Sequence, residues 1–141
     1  MTRINSSISV KNLTDEHLLA EHREIKRLPN TKIVNKNDIP REFCLGKGHV
    51  KFFTNKFKYT LDRYKQLHEE CLNRGFNVID YSNNWNNVTD KSLWNDYSPT
   101  NKDRELLIDR ITERINGGKK DYYHYNHSVI TKLQAIEFLN K

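Results

Sequence analysis

From Thr54 or Asn55 to Arg74 the chain carries its longest uninterrupted helical pattern. Phe57, Leu61, Tyr64, Leu67 or His68, and Cys71 or Leu72 return every three or four positions, and Gly75 follows where a left-handed C-cap belongs. A helix with one apolar stripe must bury that stripe, so the remaining segments have to supply its cover. With 141 residues the chain fits one domain, residues 1–141, because two halves would each be too small to bury a core without metal or disulfide help.

Three more segments read as helices. The first begins at a cap on Thr14 or Asp15. It places Asp15 and Glu16 at the positive end of the dipole, repeats Leu18, Leu19, His22, Ile25 and Leu28, and stops at Pro29-Asn30. A third follows Thr100-Asn101-Lys102-Asp103, a capping box with Asp in place of Glu; it carries Leu107, Ile108, Ile111 and Ile115 and ends at Gly117-Gly118. Ser128 caps a short final helix with Val129, Ile130, Leu133 and Ile136 on its apolar side. Residues 2–12 lack helical period and predict an extended arm. Residues 30–53 and 80–99 predict long irregular connections, the second pinned by Trp85, Trp94 and Tyr97. The fold class is therefore all-α: three main helices and a short C-terminal one.

Lys and Arg number 24 against 18 Asp and Glu, a net charge of +6, and the sequence pI is about 9.3. That balance suits a polyanion, nucleic acid or an acidic membrane surface, or simply a soluble basic protein. Cys44 and Cys71 form no CxxC pair and read as small apolar residues in a reducing compartment; the six histidines are dispersed without metal spacing, so no metal or cofactor is expected. No apolar run approaches the ~20 residues a bilayer crossing needs, which predicts an intracellular, soluble protein with no membrane partner. Two glycines around Lys47 lack P-loop spacing.

Several residues invite chemistry. If Met1 is trimmed, as the small Thr2 side chain permits, the Thr2 α-amine becomes the chain's first atom. Its ordinary pKa of about 7.7–8.0 leaves a neutral, nucleophilic fraction near pH 7, whereas Lys at about 10.4 needs strong burial to match it. Glu24 lies about two turns beyond His17, among Arg23, Lys26 and Arg27; by spacing alone it is either a carboxylate that moves protons or a surface partner of Arg27. Arg110 and Arg114 share one helix face, to straddle a phosphate or to pair with Asp109 and Glu113. The run Lys119 to Tyr125 interleaves cations with rings, Tyr122 and Tyr123 among them, to stack unpaired bases or to pack the core.

Four blocks in one order carry a resemblance: Met1-Thr2-Arg3-Ile4-Asn5; His17-Leu18-Leu19-Ala20-Glu21-His22-Arg23-Glu24; Leu45-Gly46-Lys47-Gly48-His49-Val50-Lys51-Phe52-Phe53; and Glu70-Cys71-Leu72-Asn73-Arg74-Gly75-Phe76-Asn77. Together they resemble the phage endonuclease V family of pyrimidine-dimer DNA glycosylases, firmly over about residues 1–28 and 43–78 and weakly over about 96–126. The resemblance implies a compact helical protein whose N-terminal arm threads between helices. It also implies a monomeric enzyme that excises a damaged pyrimidine from double-stranded DNA through an imine on the Thr2 amine, then nicks the strand as an AP lyase.

Carried over by position, Thr2 would be the nucleophile and Glu24 the essential carboxylate. Arg3, Arg23 and Arg27 match substrate-contacting arginines, Arg110 and Arg114 match cations presented to phosphates, and His17 matches a position near the site, where the resemblance implies orientation or phosphate contact. His22 stands where Tyr is expected and, with Tyr122 and Tyr123, is assigned to the DNA-facing set. The run Tyr122-Tyr123-His124-Tyr125 lacks an expected Trp. Those departures leave two further readings: the same chemistry on another modified base, and a non-catalytic DNA-binding protein.

Overall fold

The computed structural model describes residues 2–33 and 35–141. Five α-helices form among the described residues: α1 (Asp15–Ile25), α2 (His49–Phe53), α3 (Phe57–Asn73), α4 (Asn101–Gly117) and α5 (Lys132–Leu139). Between α4 and α5 lies one antiparallel hairpin, β1 (Tyr122–Tyr125) and β2 (Ser128–Thr131), in the register Tyr122 with Thr131 and Tyr125 with Ser128. None of the described helices is long and apolar enough to cross a membrane.

The caps fall largely where short polar residues predict them. Thr14 accepts the His17 amide at the start of α1, and Thr100 and Asp103 complete a reciprocal capping box on α4. Gly75 ends α3 at φ +79°, with its own amide donating to the Leu72 carbonyl and the Phe76 amide to that of Cys71.

One cluster of buried residues joins the segments. Ile4 and Ile8 of the arm, Leu18 and Ile25 of α1, Phe52 and Phe53 of α2, Tyr64 and Leu67 of α3, Leu107 and Ile115 of α4, and Leu139 of α5 all contribute. The arm is extended only over its first residues, turning at Ser6 and Ser7 and ending in a 3-10 helix at Val10–Asn12, and against such a core its backbone polar groups must find partners. Here α3 supplies them: Tyr59 Oη donates to the Ser6 carbonyl (2.6 Å), Arg63 Nη1 to that of Ile8 (2.6 Å), and Arg74 Nη2 to that of Val10 (3.2 Å). Arg63 is simultaneously forked onto Glu21 at 2.8 and 2.9 Å, and Arg74 onto Asp15 and Glu70.

Three expectations need correction. The chain is mostly helical but not all-α, because residues 122–131 form the hairpin. Its turn residues Asn126 and His127 take φ +49° and +71°, the left-handed geometry of a tight hairpin turn, and their amides donate to the Asp15 carboxylate at 2.9 and 2.8 Å. Consequently the last helix is capped by Thr131, not Ser128. Residues 49–53, expected to be irregular, form α2, a turn too short to show a period, driven by burial of His49, Phe52 and Phe53. Finally, α1 ends at Ile25, and Leu28–Asn30 is a 3-10 turn set by Pro29.

Among the loop aromatics, Trp85 is buried and donates its indole N–H to Thr60 (3.1 Å), and Tyr97 donates to Asp103 (2.6 Å). These bonds tie residues 80–99 to α3 and α4.

Candidate active site

A cavity of about 90 Å³ opens where the arm meets α1, α2 and α4. Two helices line it by the same rule. His17, Ala20, Glu21 and Glu24 of α1 and Leu107, Arg110, Ile111 and Arg114 of α4 each occupy positions i, i+3, i+4 and i+7, one face of an α-helix. Thr2 to Asn5 form a third wall, and Leu45, Gly46, His49 and Val50 a fourth.

The Arg3 amide donates to Glu24 Oε1 at 3.0 Å, so the half-buried carboxylate is held by the arm one residue from Thr2. One residue further on, the Ile4 amide donates to His49 Nε2 (3.0 Å). His49 Nδ1 must then carry the proton, and it donates to the Cys44 carbonyl (3.0 Å). His49 is buried and neutral, its pKa lowered by burial first of all. Together these bonds fix the backbone next to Thr2, which is itself 9% exposed.

The charges around the cavity are those the core leaves free. Among the described residues, Arg3, Arg23, Arg27, Arg110 and Arg114 have no carboxylate within salt-bridge distance, whereas Arg63 and Arg74 are fully paired. Neither Arg110 with Asp109 nor Arg27 with Glu24 forms a pair. The Arg114 pKa is lowered, by burial and then by repulsion from Arg3 and Arg110. Three guanidiniums thus crowd one mouth, a suitable cradle for an anion.

Of the remaining predicted residues, Arg23 and Arg27 are exposed outside the cavity wall. Tyr123 is buried and stacks on His17, with centroids 5.7 Å apart, while Tyr122 is 53% exposed on the opposite hairpin face. His22 is the exception. It is only 3% exposed, its Nε2 lying 3.0 Å from His68 Nδ1 and 3.2 Å from Tyr64 Oη. That contact turns His22 toward α3, off the cavity wall that positions 17, 20, 21 and 24 form. Sequence reasoning missed His49 and Glu21. Both sit within quoted blocks, but the partners that define them are 45 and 42 positions away.

Burial lowers the pKa of His17 and of His22 to about 4 in each case, below the usual value near 6.5. Between those values the folded protein binds fewer protons than the unfolded chain. Stability is therefore complete above about pH 6.5 and lost as pH falls toward 4. Asp15 and Glu16 add a second phase. Burial pushes their carboxyls up, but the amides and Arg74 on Asp15, and His124 on Glu16, outweigh it and hold both low. Their contribution, present above their unfolded pKa values, disappears as pH drops below about 4. Urea unfolding should lose a few kcal/mol between pH 7 and pH 4.5; a flat profile there contradicts the buried neutral imidazoles.

Comparison with known protein families matches residues 1–83 to a family described as pyrimidine dimer DNA glycosylase. The matched span contains the arm, α1, α2 and α3, three of the four cavity walls included.

Proposed function

Because the chain belongs to the pyrimidine dimer DNA glycosylase family, we propose that residues 2–141 act as one domain that excises cyclobutane pyrimidine dimers from double-stranded DNA and nicks the resulting site. The observation that carries the reading is the 3.0 Å bond from the Arg3 amide to Glu24, which ties the nucleophile's neighbour to the carboxylate on a shared cavity wall. Met1 lies outside the described residues; its removal is part of the proposal.

In this scheme the arm runs between helices to deliver the neutral Thr2 amine to C1′ of the damaged nucleotide. The N–C bond forms as the glycosidic electrons leave with the base, and the sugar ring opens to a protonated imine. That cation acidifies C2′–H. Its proton leaves, the electrons form a C=C bond, and the 3′ phosphate departs by β-elimination; water then hydrolyses the imine. Glu24 stabilises the positive charge on sugar and imine and relays the protons. A glycosidic bond inside a duplex cannot be reached directly, so the duplex must bend and a nucleotide must be extruded, most cheaply where a lesion already weakens stacking.

Arg3, Arg110 and Arg114 at the mouth and Arg23 and Arg27 outside it would hold phosphates, Tyr122 would meet a base, and Tyr123 would support His17. Lys56, whose amine burial lowers to about 8, is a poor nucleophile here. It donates to the Phe52 carbonyl (2.7 Å) and Asn55 (2.8 Å) and is not on the cavity wall.

Borohydride trapping tests the scheme. A preparation beginning at Thr2 should give a covalent adduct with dimer-containing and abasic duplexes, and acetylating the terminal nitrogen should remove it. No adduct from a folded, processed sample would leave a DNA-binding protein without this chemistry. Binding should also weaken steeply with salt, log K against log[salt] falling with a slope of about −3 or steeper, and Arg110→Ala or Arg114→Ala should each reduce that slope by about 1. A slope near zero contradicts the phosphate contacts.

A further inference from the structure

We propose that Thr14 is a positioning residue: its hydroxyl fixes His17 as a neutral imidazole protonated on Nε2, so that His17 offers an N–H donor to an oxygen of the substrate's deoxyribose phosphate. This inference rests on the function proposed above and adds to its site the residue that sets the His17 tautomer.

Thr14 is fully buried, and its Oγ1 has two contacts, the His17 amide at 3.1 Å and His17 Nδ1 at 2.7 Å. The amide donates, as the α1 cap requires. The hydroxyl proton, cut off from water, has only Nδ1 to receive it. Were Nδ1 protonated instead, two hydrogens would face each other or the hydroxyl proton would be stranded, at the cost of an unmade buried hydrogen bond. Nδ1 is therefore the acceptor, and the ring proton of the neutral form sits on Nε2.

No protein group among the described residues bonds Nε2, and it is not among the buried polar atoms left without a partner. Since His17 lines the cavity, the free edge of its ring is the part a substrate can reach. Tyr123 stacked on one face keeps the ring from turning.

Arg3 and Lys120 face the imidazole and oppose its protonation, while Glu16 and Glu21 favour it. Glu16 is already engaged by the His124 side chain and amide, each at 2.9 Å, and Glu21 by Arg63. Burial then tips the balance, and the ring stays neutral throughout the physiological range. A neutral imidazole that donates from one nitrogen while the other accepts can polarise an oxygen without competing with Glu24 for the proton.

The cap and the tautomer can be separated experimentally. Thr14→Ser keeps both and should retain wild-type rates. Thr14→Asp keeps an N-cap acceptor but has no proton to give, so it should move the ring proton to Nδ1 and bring the His17 pKa into the assay range. Nitrogen NMR on the wild-type protein should show Nε2 protonated and Nδ1 bare at pH 7. For Thr14→Asp the assignment should invert, the single-turnover excision rate should fall at least tenfold with lesion affinity within about threefold, and a new inflection should enter the pH–rate profile.

Should Thr14→Asp fold poorly, Thr14→Val serves, with the same loss of rate and a mixed tautomer signal. Nδ1 protonated in the wild type, or an inverted tautomer with a wild-type rate, overturns the proposal. If instead the wild-type protein gives no borohydride adduct, the failure belongs to the imine scheme, and the NMR assignment still answers for Thr14.

Discussion

Glu24→Gln is expected to slow single-turnover base excision by about 10²- to 10⁴-fold, the range spanned by losing a positioned proton-transfer group or a preorganised charge in an active site. The substitution removes charge and basicity but almost no shape. Its amide oxygen can still accept the Arg3 N–H that now bonds Glu24 Oε1 at 3.0 Å, so the arm should stay where it is. Lesion binding should therefore change by no more than a few-fold and the melting temperature hardly at all. Stopped-time excision assays with enzyme in excess, beside a melting curve, check all three. A Gln variant that excises within tenfold of the wild-type rate would show that the carboxylate is a structural tether. Glu24→Asp separates the remaining possibilities, because it keeps the charge and draws it back from Arg3 by one methylene.

The second large effect concerns stability. Arg63→Ala is expected to destabilise the protein by about 3–5 kcal/mol, a large part of the 5–15 kcal/mol available to a typical domain. Arg63 and Glu21 side chains are 4% and 0% exposed, so losing the guanidinium leaves a carboxylate with no compensating charge and no water. It also strips the Ile8 carbonyl of its donor. Burial works against the Arg63 charge, yet the Glu21 carboxylate more than offsets this and the Arg63 pKa is raised.

Replacing both partners, as in Glu21→Leu with Arg63→Met, should recover much of the loss, since a buried pair often contributes little beyond an apolar pair of similar volume. Urea titration of the two variants decides it. If Arg63→Ala loses less than about 1 kcal/mol, the fork does not anchor the arm. Because Glu21 also lines the cavity, the double variant should still excise more slowly than wild type even where its fold is restored.

Much of this was legible from local pattern. The stripes of α1, α3 and α4 follow from residues three and four apart, the caps at Thr14, Thr100 and Gly75 from the few side chains suited to them, the cavity positions 17 and 24 from helical spacing joined to the family blocks, and 110 and 114 from helical spacing on α4. The hairpin was hidden because Asn126-His127 is a weak turn signal without Gly and because Tyr122 to Tyr125 reads equally well as a stacking platform. The five-residue α2 was hidden because its one turn is too short to display periodicity.

The amino-acid order by itself determined which faces are apolar, where helices stop, and that a carboxylate at position 24 shares a helix face with His17, because each depends on neighbours within one or two turns. Only the tertiary structure decided which charges are spent and which remain. Arg63 and Arg74 differ little from Arg110 and Arg114 as letters, yet the first two are buried beside carboxylates 42 and 59 positions distant and the others are left at the cavity. His17 and His22 diverge likewise, one toward the cavity and one into α3. Burial sets whether a charge must find a partner, and burial belongs to the assembled chain.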